Sequence, residues 1–271
     1  PLPEIDRPDI DTSMSLLGRQ LSAPLLISGM TGGCESGASI NARLAEAAGI
    51  VGVAMGVGSQ RPALENSEWN WSYEVVKGKG VPLMLGNVGV PQLLVQSGKP
   101  AMSIEMIERA MAMVDADACC LHLNFLQEAV QPEGDVNASG ALGVIAEAAS
   151  KYPIVVKETG AGIPPSTISQ LAKLGVAAVD VGGLSGTSWS AVEHHRAVAG
   201  GFSQKAALGE LYWDWGLPTP ACVASAPDVV PILATGGLRH GLDLLRAIVL
   251  GAQVGGFARR LLRAADTSVE T

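Results

Sequence analysis

Two short segments carry the side chains best able to do chemistry. In Leu121-His122-Leu123-Asn124-Phe125-Leu126-Gln127-Glu128, an apolar stretch from Ala118 to Leu123 runs into an imidazole, two amides and a carboxylate. In Ile154-Val155-Val156-Lys157-Glu158, a second apolar run delivers an amine and another carboxylate. Burying such groups without partners costs several kcal/mol, so they belong where a strand emerges from a core. His122, which can titrate near neutrality, is a candidate site residue by its place at the strand end; a satisfied core histidine is the alternative. Glu128 beside Gln127 offers hard oxygen ligands suited to Mg²⁺ that is held partly by substrate phosphate; a helix-start carboxylate facing the dipole is the alternative. Lys157 ends a strand of pure Ile and Val, where a cation is costly unless it meets an anion or an electron-rich ring. Pairing with Glu158 is disfavoured because strand neighbours face opposite ways. Asn87, after Leu83-Met84-Leu85-Gly86, can offer amide donors and an acceptor to a heterocycle, or simply make a turn.

Apolar runs alternate with helical patterns along the whole chain, and these elements must position those groups. The strand candidates are Pro24 to Ser28, Ile50 to Met55, Leu83 to Leu85, Ala118 to Leu123, Ile154 to Val156, Val176 to Val181, Val230 to Ala234 and Gln253 to Phe257. Between them lie helical patterns over Ile40 to Ala48, Trp71 to Val76, Ser103 to Met113 and Leu142 to Ser150. Three more follow over Pro165 to Leu174, Trp189 to Val198 and Leu242 to Leu250. Short, nearly continuous Val/Ile/Leu runs describe strands covered on both faces, hence a parallel sheet. Eight such units without a composition break predict one (β/α)8 barrel domain over residues 1–271, an α/β TIM barrel whose chemistry sits at the strand ends. A doubly wound sheet is the competing fold. It calls for G-x-G-x-x-G after the first strand, and Gly29-Met30-Thr31-Gly32-Gly33 lacks that spacing. The reading leaves little chain after the eighth strand for a closing helix and nothing before the first to plug the barrel floor. We therefore expect the barrel to lack an N-terminal extension and its closing C-terminal helix, which belong to a longer parent chain or are replaced by a partner subunit.

Composition narrows the function. Hydrophobic residues make up 48% of the 271 and aromatics only 4%, so the core is built from Ala, Val, Leu and Ile. A formal charge of -8 and a pI near 5.0 argue against nucleic acid or an anionic membrane surface as partners. No apolar run approaches the roughly 18 residues of a membrane span, and no signal peptide is visible. Cys34, Cys119, Cys120 and Cys222 lack metal-ligand spacing and read as small hydrophobes in a reducing cytosol, which points to a cytoplasmic enzyme; a cysteine nucleophile is the alternative.

Two late glycine pairs form a candidate phosphate site, with turn chemistry alone as the alternative. Thr235-Gly236-Gly237-Leu238-Arg239 leaves the seventh strand, and Gly255-Gly256-Phe257-Ala258-Arg259 the eighth. Backbone N–H groups at a helix start bind phosphate there in barrels of this kind. Arg61 and Arg239 are the cations expected near the site, whereas Arg259, Arg260 and Arg263 read as helix surface. His194 and His195, between Glu193 and Arg196, read as a solvated face. The stretches around Trp69-Asn70-Trp71 and Tyr212 to Gly216 are packing under long loops, or lid and interface elements.

Together these strings resemble the type 2 isopentenyl-diphosphate isomerases, flavin enzymes on a (β/α)8 barrel. The likeness runs from Pro3-Glu4-Ile5-Asp6 to about Leu262. It is carried by SAPLLISGMTGG (Ser22 to Gly33), GVGSQR (Gly56 to Arg61), LGNVG (Leu85 to Gly89) and LHLNFLQEAVQPEGD (Leu121 to Asp135). VVKETGAG (Val155 to Gly162), SGTSW (Ser185 to Trp189), DWGLPT (Asp214 to Thr219) and TGGLRHGLD (Thr235 to Asp243) complete it. The resemblance implies FMN contacts at Met30, Thr31, Ser59, Asn87, Lys157 and Thr187, at the backbone of Gly236, Gly237 and Arg239, and at Ala258. It implies a substrate side of Arg61, His122, Asn124, Gln127 and Trp189, with Gln127, His122 and Trp189 at the reacting centre and Mg²⁺ on Glu128. Phe125 stands where the family usually has proline and Ser185 where it has glycine, and the family's basic and histidine N-terminal motif is absent. The implied reaction converts isopentenyl diphosphate reversibly to dimethylallyl diphosphate. Reduced FMN acts as acid and base, and NADPH is needed only to reduce it. A small-molecule diphosphate partner and a homo-oligomer are expected.

A second enzyme class comes close. In the FMN-dependent 2-hydroxy-acid oxidases a loop like TGGLRHGLD also binds phosphate, but they need a histidine base and an arginine in a His-Gly-Gly-Arg context. Val179-Asp180-Val181-Gly182-Gly183-Leu184 has neither. A non-catalytic flavin-binding protein is the third reading.

Overall fold

A computed structural model describes residues 4–269; Pro3, where the family likeness begins, lies outside them. Eight parallel strands close a barrel in the order β10-β3-β4-β5-β6-β7-β8-β9. Before them stands a hairpin of β1 (Met14–Leu16) and β2 (Arg19–Leu21). The barrel strands are β3 (Leu25–Ile27), β4 (Ala54–Gly56), β5 (Met84–Gly89), β6 (Ala118–His122), β7 (Ile154–Lys157), β8 (Ala178–Asp180), β9 (Ile232–Ala234) and β10 (Val254–Phe257). The helices between them are α1 (Glu35–Val51), α2 (Arg61–Glu65), α3 (Trp71–Glu74), α4 (Glu105–Val114), α5 (Phe125–Val130) and α6 (Ala141–Lys151). Then come α7 (Pro165–Lys173), α8 (Trp189–Ala199), α9 (Ser203–Leu211), α10 (Thr219–Ser225), α11 (Gly241–Val249) and α12 (Arg259–Ala265).

Strand alternation divides the apolar side chains into two cores. Leu26, Ala54, Leu85, Cys120, Val155 and Leu233 fill the barrel interior. Ile27, Met55, Cys119, Val156 and Ala234 face the helices. The adjacent Cys119 and Cys120 thus point opposite ways, as strand geometry requires. Burial raises both thiol pKa values, that of Cys120 to about 12, which keeps them protonated and inert.

Three expectations need correction. The barrel floor is plugged: Leu16 and Leu21 of the hairpin are only 3% and 2% exposed and join the interior core. A turn through Leu17 and Gly18, with φ of 50° and 77°, joins its strands; two positive φ values match the tight hairpin turn whose twist suits paired strands. Three-residue strands with one buried position each leave no periodic signal, and leucine is an unusual residue in such a turn. Second, α12 follows the eighth barrel strand, with Ala265 buried and its carbonyl accepting from Arg43 Nη1 at 2.7 Å. Third, Ile50 and Val51 close α1 rather than opening a strand; both are exposed, and Gly52 ends the helix in the left-handed region. Leu242, Leu245 and Val249 are exposed on the outer face of α11. No helix among the described residues is long and apolar enough to cross a membrane.

Candidate active site

The register of the parallel ladder assembles the site. Gly89, His122, Lys157 and Asp180 are successive partners across β5, β6, β7 and β8, so an imidazole, an amine and a carboxylate lie in one row at the C-terminal rim of the barrel. Above that row opens a cavity of about 1320 Å³. Small-molecule sites typically occupy about 300–1,000 Å³, so this one has room for more than one ligand.

Met30, Ser59, Arg61 and Asn87 line it from the early strands. His122, Asn124, Gln127, Glu128 and Lys157 line it from β6, α5 and β7. Thr187 and Trp189 contribute from the connection into α8, and Gly236, Gly237, Arg239 and Ala258 from the last two loops. Thr31 stands beside the cavity rather than on its wall, its carbonyl accepting from Asn41 Nδ2 and from the Gly58 N–H.

His122 is buried, and its Nδ1 lies 2.8 Å from Asn87 Oδ1. Asn87 Nδ2 donates to the Val57 carbonyl at 3.0 Å, which fixes the amide with its oxygen toward the ring. Nδ1 therefore carries the hydrogen and Nε2 is an acceptor. Burial, reinforced by the charges of Lys157 and Arg61, lowers the His122 pKa from 6.5 to about 3. The expectation of an imidazole titrating near neutrality is thus corrected: in this environment it is neutral. Asn87, expected to face a ligand with its whole amide, spends its oxygen and one N–H inside the protein.

Lys157 Nζ donates to the carbonyl of Glu158 at 3.0 Å and has no carboxylate within ion-pair distance among the described residues. Glu158 turns away, its Oε2 accepting the N–H groups of Thr159, Gly160 and Ala161. Asp180, beside Lys157 in the ladder, accepts from Thr235 Oγ1 and the Gly182 N–H. Burial raises its pKa, and Lys157, Thr235 and Gly182 offset part of that rise.

The α5 corner is a network of amides and carboxylates. Asn124 Nδ2 donates to Glu128 Oε1 at 3.1 Å and lies 3.3 Å from Gln127 Oε1. Gln127 Nε2 donates to Glu193 Oε1 at 2.9 Å. Arg61 is paired with Glu65 at 2.8 Å and Asp135 at 3.0 Å. Burial opposes its charge, but Glu65, Asp135 and Glu128 outweigh that and raise its pKa.

The last loops are built from backbone. Gly236 and Gly237 have φ of 99° and 87°, and a Cβ on either would come within 2.3 Å or 2.2 Å of the carbonyls of Gly183 and Ser185. Loop-against-loop packing therefore demands both glycines, and the backbone they free borders the cavity. The Arg239 N–H, expected to face phosphate, donates instead to Asp243 Oδ2 at 3.0 Å.

Other residues escaped the sequence reading. Arg259, Arg260 and Arg263 line the cavity rather than forming an outer helix surface, as does His195. His194 is half-buried, bonding the Ala206 carbonyl and packing edge-on against Trp213. Glu193, placed among solvated residues, is 1% exposed. Gln92 and Asp135 complete the α5 corner from separate loops. Only Asp180, polar at the end of an apolar run, had a signal in its own segment.

Two buried polar atoms facing this region have no partner, Ser28 Oγ and Asn124 Oδ1. Buried polar groups are normally satisfied, so both suit ligand contacts. With the Lys157 amine and the glycine-lined rim, Ser28 Oγ fits a flavin phosphate and ring on one side. On the other, the described residues hold no group of three or more His, Cys, Asp or Glu able to bind a metal. Mg²⁺ characteristically uses one or two carboxylates plus substrate phosphates and water, and Glu128 with the free Asn124 oxygen fits that mode.

No family model matches the chain. The curated proteins named isopentenyl-diphosphate delta-isomerase do. The one from Thermoplasma volcanium is 47% identical over 268 residues, covering 99% of this chain and 77% of its own length. That from Archaeoglobus fulgidus is 44% identical over 272 residues, covering 99% and 76%. The Methanococcoides burtonii protein is 48% identical over 253 residues, covering 93% and 68%. Likeness of this depth along nearly the whole barrel, with the site strings in their expected order, makes the chain a member of the isopentenyl-diphosphate delta-isomerase family.

Proposed function

We propose that this barrel interconverts isopentenyl diphosphate and dimethylallyl diphosphate, using FMN in its reduced form and Mg²⁺. The observation that carries the reading is the division of one large cavity into a backbone-lined rim and a wall of Arg61, His122, Asn124, Gln127 and Glu128. Proteins over 40% identical to it bear the corresponding enzyme name.

FMN would be held by Met30, Ser59, Asn87, Lys157, Thr187, Ala258 and the backbone at Gly236 and Gly237, with Thr31 beside them. When bound, and reduced by NADPH, it would supply the proton donor and acceptor for the allylic shift. Lys157, which has no carboxylate within ion-pair distance among the described residues, places a positive charge where a reduced ring would carry negative charge. Arg61 and a Mg²⁺ on Glu128 anchor the diphosphate away from the reacting alkene, which converts binding into orientation. Gln127 cannot titrate; held through Glu193, it orients. His122, neutral and donating to Asn87, offers Nε2 as an acceptor and is a poor general acid at neutral pH.

The test is twofold. FMN is titrated into the purified protein and the flavin spectrum followed, and the reduced holoprotein is then assayed with isopentenyl diphosphate and, separately, with lactate. Isomerisation without lactate turnover is the expected result. Lactate oxidation would select the hydroxy-acid oxidase alternative, and flavin binding without either activity the non-catalytic one. Failure to bind FMN sinks the flavin assignment.

A further inference from the structure

One carboxylate close to the site has no role in this reading. Asp135 lies in the connection between α5 and α6, is 5% exposed and does not line the cavity. Its Oδ2 pairs with Arg61 Nη1 at 3.0 Å and its Oδ1 with Lys99 Nζ at 3.2 Å. Its backbone N–H donates to Glu128 Oε2 at 2.8 Å. Gln92 Nε2 lies 3.5 Å from both Glu128 Oε1 and Asp135 Oδ2. One buried residue therefore holds Arg61 with its side chain and Glu128 with its main chain.

We propose that Asp135 is the positioning residue of the diphosphate subsite, fixing Arg61 and Glu128 relative to each other so that guanidinium and divalent cation meet the same ligand. The inference rests on the reading of Arg61 and Glu128 given above. A free arginine side chain loses rotamer entropy when a ligand orders it. Here Nε donates to Glu65 and Nη1 is ion-paired with Asp135, so part of that ordering is already in place before an anion binds. Lys99 compensates the Asp135 charge, so Arg61 keeps its attraction for phosphate. The connection is itself anchored. The Asn137 N–H donates to Gln96 Oε1 at 2.9 Å, and Gln96 Nε2 returns a bond to the Asn137 carbonyl at 3.1 Å.

Inorganic pyrophosphate, with and without Mg²⁺, is titrated calorimetrically into the FMN-loaded full chain, and KM and kcat for isopentenyl diphosphate are measured beside it. Asp135→Asn keeps the shape and the backbone N–H but removes the charge. Residues that orient metal ligands typically contribute about 10–100-fold to affinity, so we expect Mg-pyrophosphate binding to weaken by about that factor. KM should rise in parallel, kcat stay within about threefold, and flavin affinity stay unchanged. Gln96→Ala loosens the anchor without touching a charge and should have little effect. Unchanged or tighter pyrophosphate binding in Asp135→Asn overturns the proposal. So does an equal loss in Gln96→Ala, which would reduce the effect to loop anchoring. Should Asp135→Asn not fold, Lys99→Gln decides: leaving the carboxylate uncompensated against Arg61 should weaken binding about threefold, and no change refutes the idea. A parent protein that binds Mg-pyrophosphate but does not isomerise the substrate would sink the reaction and leave the Asp135 result readable. One that binds no pyrophosphate would sink the subsite.

Discussion

The two walls of the cavity are built differently. Around β8 and β9 the wall is shaped by glycine backbone: Gly182, Gly183, Gly186, Gly236 and Gly237 pack loop against loop, with Arg239, Arg259, Arg260 and Arg263 beside them. Around β5, β6 and α5 it is side chain, in a web of imidazole, amides, carboxylates and guanidinium. A backbone wall is rigid because any Cβ would displace a neighbouring loop, and it presents identical amides whatever the residue types around it. A side-chain wall is tunable: each group's charge and hydrogen-bond role depends on partners supplied by other strands. Substitutions in the first should therefore act through stability, and those in the second through chemistry at little cost in fold.

The strongest test of that division is Gly237→Val. With φ of 87° and a Cβ placed 2.2 Å from the Ser185 carbonyl, left-handed strain and overpacking should together cost roughly 3–5 kcal/mol. Urea unfolding measures it, and a loss under about 1 kcal/mol would mean that the wall yields. On the other wall, Gln127→Leu should lower kcat about 100-fold by releasing the orientation set through Glu193, with flavin still bound. An equal loss of folding stability would blur the contrast.

The His122 environment gives a pH signature. Its folded pKa, about 3, lies below the unfolded 6.5, so the unfolded chain binds more protons in between. Stability is then complete above about pH 6.5 and falls as the pH drops toward 3, with a slope approaching 1.4 kcal/mol per pH unit. Acid titration of the melting free energy in the parent and in His122→Asn should show the slope in the first and its reduction in the second. Identical slopes would mean the imidazole is charged in the folded state. The smallest effect belongs at the rim. Glu65→Gln breaks a half-exposed ion pair with Arg61, and should cost about 0.5 kcal/mol or less in thermal unfolding.

Much of the architecture was legible because a buried parallel strand leaves a plain trace. Ile154-Val155-Val156 and Ala118 to Leu123 both became barrel strands, and the groups they deliver, His122 and Lys157, came to lie side by side. The hairpin of β1 and β2 was not legible, since each strand buries a single leucine and neither has a period to read. Helix α12 was legible only as a helical surface carrying Arg259, Arg260 and Arg263; nothing local says that it packs back onto the barrel or that a cavity opens beside it. Most candidate site residues could be named because they sit at strand ends or in recognisable strings. Their partners could not, because Asp135, Glu193 and Gln92 approach from other loops and helices.

By itself the sequence determined the number of barrel strands, the alternation that sends Cys119 and Cys120 to opposite cores, and the residue types available at the barrel rim. These follow from local periodicity and from the cost of burying polar groups, both of which can be read along the chain. Tertiary structure alone decided that His122 is neutral, that Asn87 holds it, that Arg61 is shared between Glu65 and Asp135, and that the hairpin closes the floor. A protonation state or a shared ion pair depends on groups distant in sequence and adjacent in space, and only the closed barrel brings them within hydrogen-bonding distance.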